Sequence, residues 1–225
     1  MSPGTSVVAG DDGRTRCAWA GADPEYQRYH DEEWGTALHG DQPLFEKLSL
    51  EGFQAGLSWI TILRRRPTFR IAFAGFDIDA VAAFGERDIE RLMNDPGIIR
   101  NRAKVEATIS NARVTQHLVS EEPGGLDALL WSFAPPPRAA APVSFSEIPA
   151  VTAESTAASK ALKKLGYRFV GPTTIYALMQ SSGMVDDHVA GCWRAQTMRS
   201  TSPGAPGSSR TSAVAAQASN DSRSG

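Results

Sequence analysis

The chain of 225 residues has two cysteines, four histidines and no large excess of either charge, its formal net charge being -2. So few cysteines exclude a dense disulfide framework, although Cys17 and Cys192 could still form a single long-range bridge. A near-neutral balance provides no global basic field, so any affinity for nucleic acid has to come from local patches. Candidates are Arg64-Arg65-Arg66, Arg100 to Lys104 and Lys160 to Arg168, each of which alone reads as a solvated helix face. No run approaches the ~18 apolar residues of a membrane span, and the start has no charged-then-apolar leader. The expectation is therefore no membrane partner and a cytoplasmic location. Sustained period-2 alternation is also missing, which leaves a mainly or wholly α-helical fold.

What is present is a 41% hydrophobic content spread through the middle of the chain, enough for one good-sized core or two small lobes. Residues 1–13 are rich in Gly, Ser and Asp and read as a loose tail; from about Ser200 the chain is Ser, Ala, Gly and Pro, too poor in large apolar groups to offset its ordering entropy. One domain is expected over 14–199, between disordered tails at 1–13 and 200–225. Inside it, Asp23-Pro24 signals a helix start, with Asp as N-cap and Pro at the first position, and Asp41 with Pro43 repeats that logic. The segment after Asp41 runs as one helix or as two broken near Gly56. Short helices are expected over 77–84 and 86–93, longer ones over 98–118, 155–165 and 172–183, and an irregular linker over 138–150.

Glu51 is out of place in Leu48-Ser49-Leu50-Glu51-Gly52-Phe53. Helical increments put Leu44, Leu48, Glu51, Ala55, Trp59 and Ile62 on one stripe, so an acid and an indole share a largely apolar face. An ionised group there is either a rim-of-core Glu tied to a helix N-terminus or an Arg, or a functional carboxylate. A second departure is His188-Val189-Ala190-Gly191-Cys192, with imidazole and thiol four apart, on one helical face or across one turn. With Cys17 and His30 the pair would complete a tetrahedral Cys2His2 set for a structural Zn²⁺ with no position open to water. A Cys17–Cys192 disulfide or two buried thiols are the other readings. His39 and His117 read as surface histidines. Third, Leu165 to Thr174 joins two helices through a Gly-bounded turn: Gly166 can end one helix and Pro172 begin the next, whose free amides form an anion site. A DNA phosphate would fit there on Gly166, Arg168, Gly171 and Thr173, although most such connections bind nothing.

Taken together, Arg16-Cys17-Ala18-Trp19, Tyr29 to Gly35, Leu50 to Thr61, Gly97-Ile98-Ile99-Arg100, Trp131-Ser132-Phe133, Phe169-Val170-Gly171 and Asp187 to Cys192 resemble the 3-methyladenine DNA glycosylase I family, in order, over about residues 16–193. The resemblance implies an all-α, helix-hairpin-helix glycosylase that hydrolyses the N-glycosidic bond of 3-methyladenine in alkylated double-stranded DNA, and the chain reads as a monomer. It also implies a structural zinc on Cys17, His30, His188 and Cys192, and a base pocket of Trp19, Tyr26, Tyr29, Glu51 and Trp59. Glu51 would read the flipped base and could act in bond cleavage. Asp186 departs from the family's pattern; it is either an assistant to water attack or a solvated acid or cap beside a metal ligand. Two rivals remain: a non-catalytic zinc-stapled DNA-binding module, and a zinc hydrolase, which would need an open coordination position.

Overall fold

The computed structural model describes residues 5–195. Among the described residues the regular elements are helices joined by loops, together with one short hairpin, β1 (Val7–Ala9) paired antiparallel with β2 (Thr15–Cys17) in the register Val7↔Cys17. Residues 1–4 of the expected loose tail over 1–13 lie outside the described residues, whereas Val7–Ala9 are paired rather than loose: three-residue strands are too short to display a period, and their pairing is fixed by the turn between them. The expected tail over 200–225 lies outside the described residues.

The helices begin where side chains can satisfy their free amides. In α1 (Pro24–Glu32) the Asp23 carboxylate accepts from the N–H groups of Glu25 and Tyr26, with Pro24 in the first turn. By contrast α2 (Asp41–Gln54) is preceded by Gly40, and Asp41 does not cap it; its Oδ1 accepts from the N–H of Asp127 instead. The chain then breaks over 55–58, with Gly56 at φ 86, before α3 (Trp59–Ala72). Thus Glu51 and Trp59 belong to two helices rather than to one continuous stripe.

Asp77 caps α4 (Ile78–Ala82), and α5 (Glu86–Asn94) follows. The long α6 (Arg102–Glu121) starts later than Ile98 because the Asn101 side chain accepts from the Lys104 N–H and fixes the start there. After α7 (Gly125–Trp131) the linker holds only a short 3-10 turn, Phe145–Glu147. Thr152 and Ser155 form a reciprocal cap on α8 (Ala153–Leu165), which ends at Gly166 in the left-handed region, and α9 (Pro172–Ser181) starts with Pro172.

The core surrounds α2, which packs on α3, α6, α7 and α9 and is buried along almost its whole second half. Leu44, Phe45, Leu48, Leu50 and Phe53 meet an aromatic cluster of Phe69, Phe73 and Phe76. Over residues 47–53 α2 has no solvated face, so two of its ionisable residues, Lys47 and Glu51, are drawn inside with it.

Candidate functional site

Beside α2 lies a cavity of about 310 Å³, a size suited to a single small ring system. Its walls are Trp19, Tyr26, Tyr29, Trp34 and Trp59, with Phe145 and Ile148 from the linker and Ala177, Gln180 and Ser181 from α9; Glu51 and Gln54 complete it. The rings hold one another at an angle: Trp19 lies 5.0 Å from Tyr26 and 5.1 Å from Trp34, and Tyr29 lies 5.5 Å from Trp59. All five residues expected in a base pocket line this one space. Sequence reasoning misses Trp34, which sits in the same aromatic block as Tyr29. It also misses Gln180 and Ser181, whose polar letters near a helix end carry no distinguishing pattern.

Glu51 is 4% exposed, and its Oε1 accepts from the Ser181 hydroxyl at 2.9 Å. Burial pushes its pKa up to about 7, opposed by Lys47 and by the Ser181 hydrogen bond. Lys47 stands one turn earlier, with its ammonium donating to the Tyr29 hydroxyl at 3.0 Å and lying 4.8 Å from the Tyr29 ring and 5.0 Å from that of Trp59. Burial pulls the Lys47 pKa down to about 8.

Behind Trp19 and Trp34 the two ends of the domain meet. Ligand atoms of Cys17, His30 and Cys192 all lie within 4.8 Å of one another, and all three residues are buried. His30 Nε2 is 3.4 Å from Cys192 Sγ, and both cysteines are free thiols rather than a disulfide. His188 sits across a turn from Cys192, not on a shared helix; its ring is 5.1 Å from that of His30, and its buried Nε2 has no hydrogen-bond partner. The other nitrogen of each imidazole meets a carboxylate, His30 Nδ1 at 2.8 Å from Asp31 and His188 Nδ1 at 3.0 Å from Asp186, an arrangement that orients metal-binding histidines. Asp31 in turn accepts from Arg16 and from the Trp193 indole. Asp186 also accepts from the His188 backbone N–H, and it does not line the aromatic cavity. Soft thiol and imidazole donors, buried and convergent, suit a borderline-soft ion, and an orphaned imidazole nitrogen beside them suits a fourth ligand.

The hairpin between α8 and α9 is held from behind. Asn111 of α6 clamps Arg168 at both backbone groups, accepting from its N–H at 2.8 Å and donating to its carbonyl at 3.0 Å, while the Ser159 hydroxyl donates to the Val170 carbonyl at 2.6 Å. These bonds support Phe169, a non-glycine residue at φ 57. Gly166, Arg168 and Thr173 are exposed, Gly171 is half-buried, and α9 starts at Pro172 with no side-chain cap at Gly171.

A mainly helical domain with an acid beneath aromatic walls and a braced helix-hairpin-helix turn has the architecture of helix-hairpin-helix DNA glycosylases. A family model described as methyladenine glycosylase matches residues 19–195. The chain is 48% identical over 178 residues to DNA-3-methyladenine glycosylase 1 of Escherichia coli, covering 79% of this chain and 95% of that protein. It is 46% identical over 180 residues to DNA-3-methyladenine glycosylase of Haemophilus influenzae, covering 79% and 96%. Among solved structures, a 3-methyladenine DNA glycosylase I matches with TM-score 0.76 at 45% identity, covering 79% of this chain and 98% of that one. The Staphylococcus aureus enzyme, whose structure describes 3-methyladenine recognition, matches with TM-score 0.75 at 34% identity, covering 80% and 96%. The chain belongs to the methyladenine glycosylase family.

Proposed function

We propose that this chain removes 3-methyladenine from alkylated double-stranded DNA by hydrolysing its N-glycosidic bond, acting as a monomer. The observation that carries the reading is Glu51, a carboxylate enclosed by aromatic rings in a cavity the size of one base. A glycosylase must extrude its nucleotide and hold it between rings and hydrogen-bonding groups. Methylation at N3 makes the attached base a cation, so the leaving group needs no protonation and selection can carry much of the catalysis.

Trp19, Tyr26, Tyr29 and Trp59 supply faces that favour a cationic purine, and Glu51 supplies the opposite charge in a poorly hydrated site. Ser181 occupies Glu51 Oε1, leaving Oε2 to accept from the exocyclic amino group. Because burial raises the Glu51 pKa to about 7, a cationic ligand stabilises the ionised form and a neutral adenine does not. Once bound, the same carboxylate stabilises positive charge developing on the sugar. Gly166, Arg168, Gly171 and Thr173 position the duplex through its phosphates, without reading sequence.

Cys17, His30, His188 and Cys192 would hold a structural Zn²⁺, with Asp31 and Asp186 orienting the imidazoles. That ion would cross-link the two ends of the domain and take no part in hydrolysis. Asp186 is accordingly a partner of His188 rather than an activator of water.

The test is Glu51→Gln, which keeps shape and removes charge. Release of 3-methyladenine from methylated DNA is expected to fall by about 100-fold or more, on the scale of losing one preorganised electrostatic contact, while DNA binding and the helical circular dichroism persist. Unchanged release by the folded variant overturns the assignment. DNA binding by the unaltered protein with no free base supports instead a non-catalytic zinc-stapled module.

A further inference from the structure

Lys47 is the one buried ammonium at the edge of the aromatic cavity among the described residues, and a cation there runs against a cationic base. It is 7% exposed on the enclosed helix α2, four residues before Glu51. Its Nζ lies against two of the rings that line the cavity and makes its hydrogen bond to the Tyr29 hydroxyl. An ammonium has three donors and no acceptor, so in that contact the Tyr29 oxygen must accept. The phenolic hydrogen is thereby turned away from Lys47, and Tyr29 borders the cavity. A neutral side chain at position 47 would leave that hydrogen free to rotate; a neutral amine would take it.

We propose that Lys47 is a positioning residue of the base site, its charged form aiming the Tyr29 O–H into the cavity as a donor and keeping Glu51 ionised as the acceptor. The inference rests on the glycosylase reading of this cavity and deepens it. A donor at Tyr29 and an acceptor at Glu51, both lining the cavity, match the edge of an aminopurine, where an exocyclic N–H neighbours a ring nitrogen. The Coulomb cost of one cation near another is offset because a buried carboxylate without Lys47 would take up a proton and lose its preference for a charged base.

The groups that act on Lys47 are Glu51 and Glu46 on the same helix, Glu33 after α1 and Arg66 on α3; Tyr29 and Tyr26 are the other titratable side chains at the cavity. Glu33 is engaged by Arg66 and Glu46 by Arg70, so Glu51 is the carboxylate left to Lys47. The two shifts are reciprocal: Lys47 holds the Glu51 pKa down, and Glu51 holds the Lys47 pKa up, each against burial. The pair therefore titrates as a unit, and release should follow a bell whose limbs belong to the pair.

The experiment is the pH profile of 3-methyladenine release for the unaltered chain, Lys47→Met and Lys47→Arg, under single-turnover conditions on methylated DNA. Lys47→Met is expected to move the acid limb upward by about one pH unit and to cut release at pH 7 by about 5-fold, with activity recovering as pH rises. Lys47→Arg, whose charge is permanent, is expected to keep the acid limb and move the alkaline limb upward. A folded Lys47→Met with an unshifted acid limb overturns the inference. If Lys47→Met does not fold, Lys47→Arg decides: an alkaline limb that stays in place overturns it. Failure of the unaltered chain to release 3-methyladenine overturns the functional reading itself, and this inference with it.

Discussion

A carboxylate whose pKa is raised by burial costs the fold stability once it ionises, and at Glu51 that cost has a definite pH window. Between its ordinary pKa and about 7 the folded state holds a proton that the unfolded state has released, so stability falls as pH rises through that window and stays lowered above it. Glu51→Gln is therefore expected to raise the melting temperature at pH 8, with the gain shrinking toward pH 5. A thermal-denaturation series across that range checks it, and a loss of stability at pH 8 would show that the carboxylate is compensated better than its surroundings indicate. Glu51 is visible in the sequence because an acid on an apolar stripe is anomalous. Lys47 is not, since a lysine beside a glutamate on a helix looks like a solvated face; only the enclosure of α2 by four other helices turns it inward. Asp31 is equally silent, being one of three consecutive acids, yet it joins His30, Arg16 and Trp193. Asp31→Asn is expected to weaken metal binding by about 10–100-fold in competition with a chromophoric chelator.

At the scale of elements, the starts of helices are the most legible features. Asp23-Pro24, Asp77 and Pro172 each mark a start that the chain uses, because a side-chain oxygen or a missing N–H solves the problem of the free amides locally. Asp41 misleads for the converse reason: its carboxylate finds a better partner far along the chain, at the Asp127 amide, which no local rule can anticipate. The paired strands β1 and β2 escape notice because three residues cannot show alternation. The hairpin between α8 and α9 is legible as a turn but not as a braced one, since Asn111 lies on α6 and meets Arg168 only in three dimensions. Asn111→Ala leaves the Arg168 backbone groups without these bonds and removes a restraint on the positive φ of Phe169. It is expected to weaken DNA binding while leaving the salt slope unchanged or slightly shallower, because the Arg168 charge is kept while its placement loosens. Fluorescence anisotropy with a duplex at two salt concentrations measures both quantities.

Across the whole molecule, the N-terminal segment and the residues after α9 are drawn together by more than the Cys and His side chains. Gly35 donates its N–H to the Gln180 carbonyl, and Leu38 donates to that of Ser182. Gly183, at φ 72, brings its Cα so close to the Thr36 and Ala37 backbone that an added Cβ would lie 2.6 Å from it. The aromatic cavity takes walls from both sides of this seam, Trp19 and Trp34 from one and Gln180 and Ser181 from the other. A metal at Cys17, His30 and Cys192 would thus steady the cavity without touching its contents. Chelation is expected to lower the melting temperature, Zn²⁺ to restore it and Mg²⁺ to leave it unchanged, since thiolate and imidazole are poor ligands for the harder ion.

Selection of a positively charged methylated adenine by the cavity around Glu51, and its release from DNA by this chain, are tested together by one measurement. It is chromatographic identification of the bases that the purified protein frees from randomly methylated duplex DNA. The expected products are 3-methyladenine above the spontaneous background and no adenine, with release cut by about 100-fold or more in Glu51→Gln. Release of unmethylated adenine would contradict the selection, and no free base at all from a folded protein that binds the duplex would contradict the release.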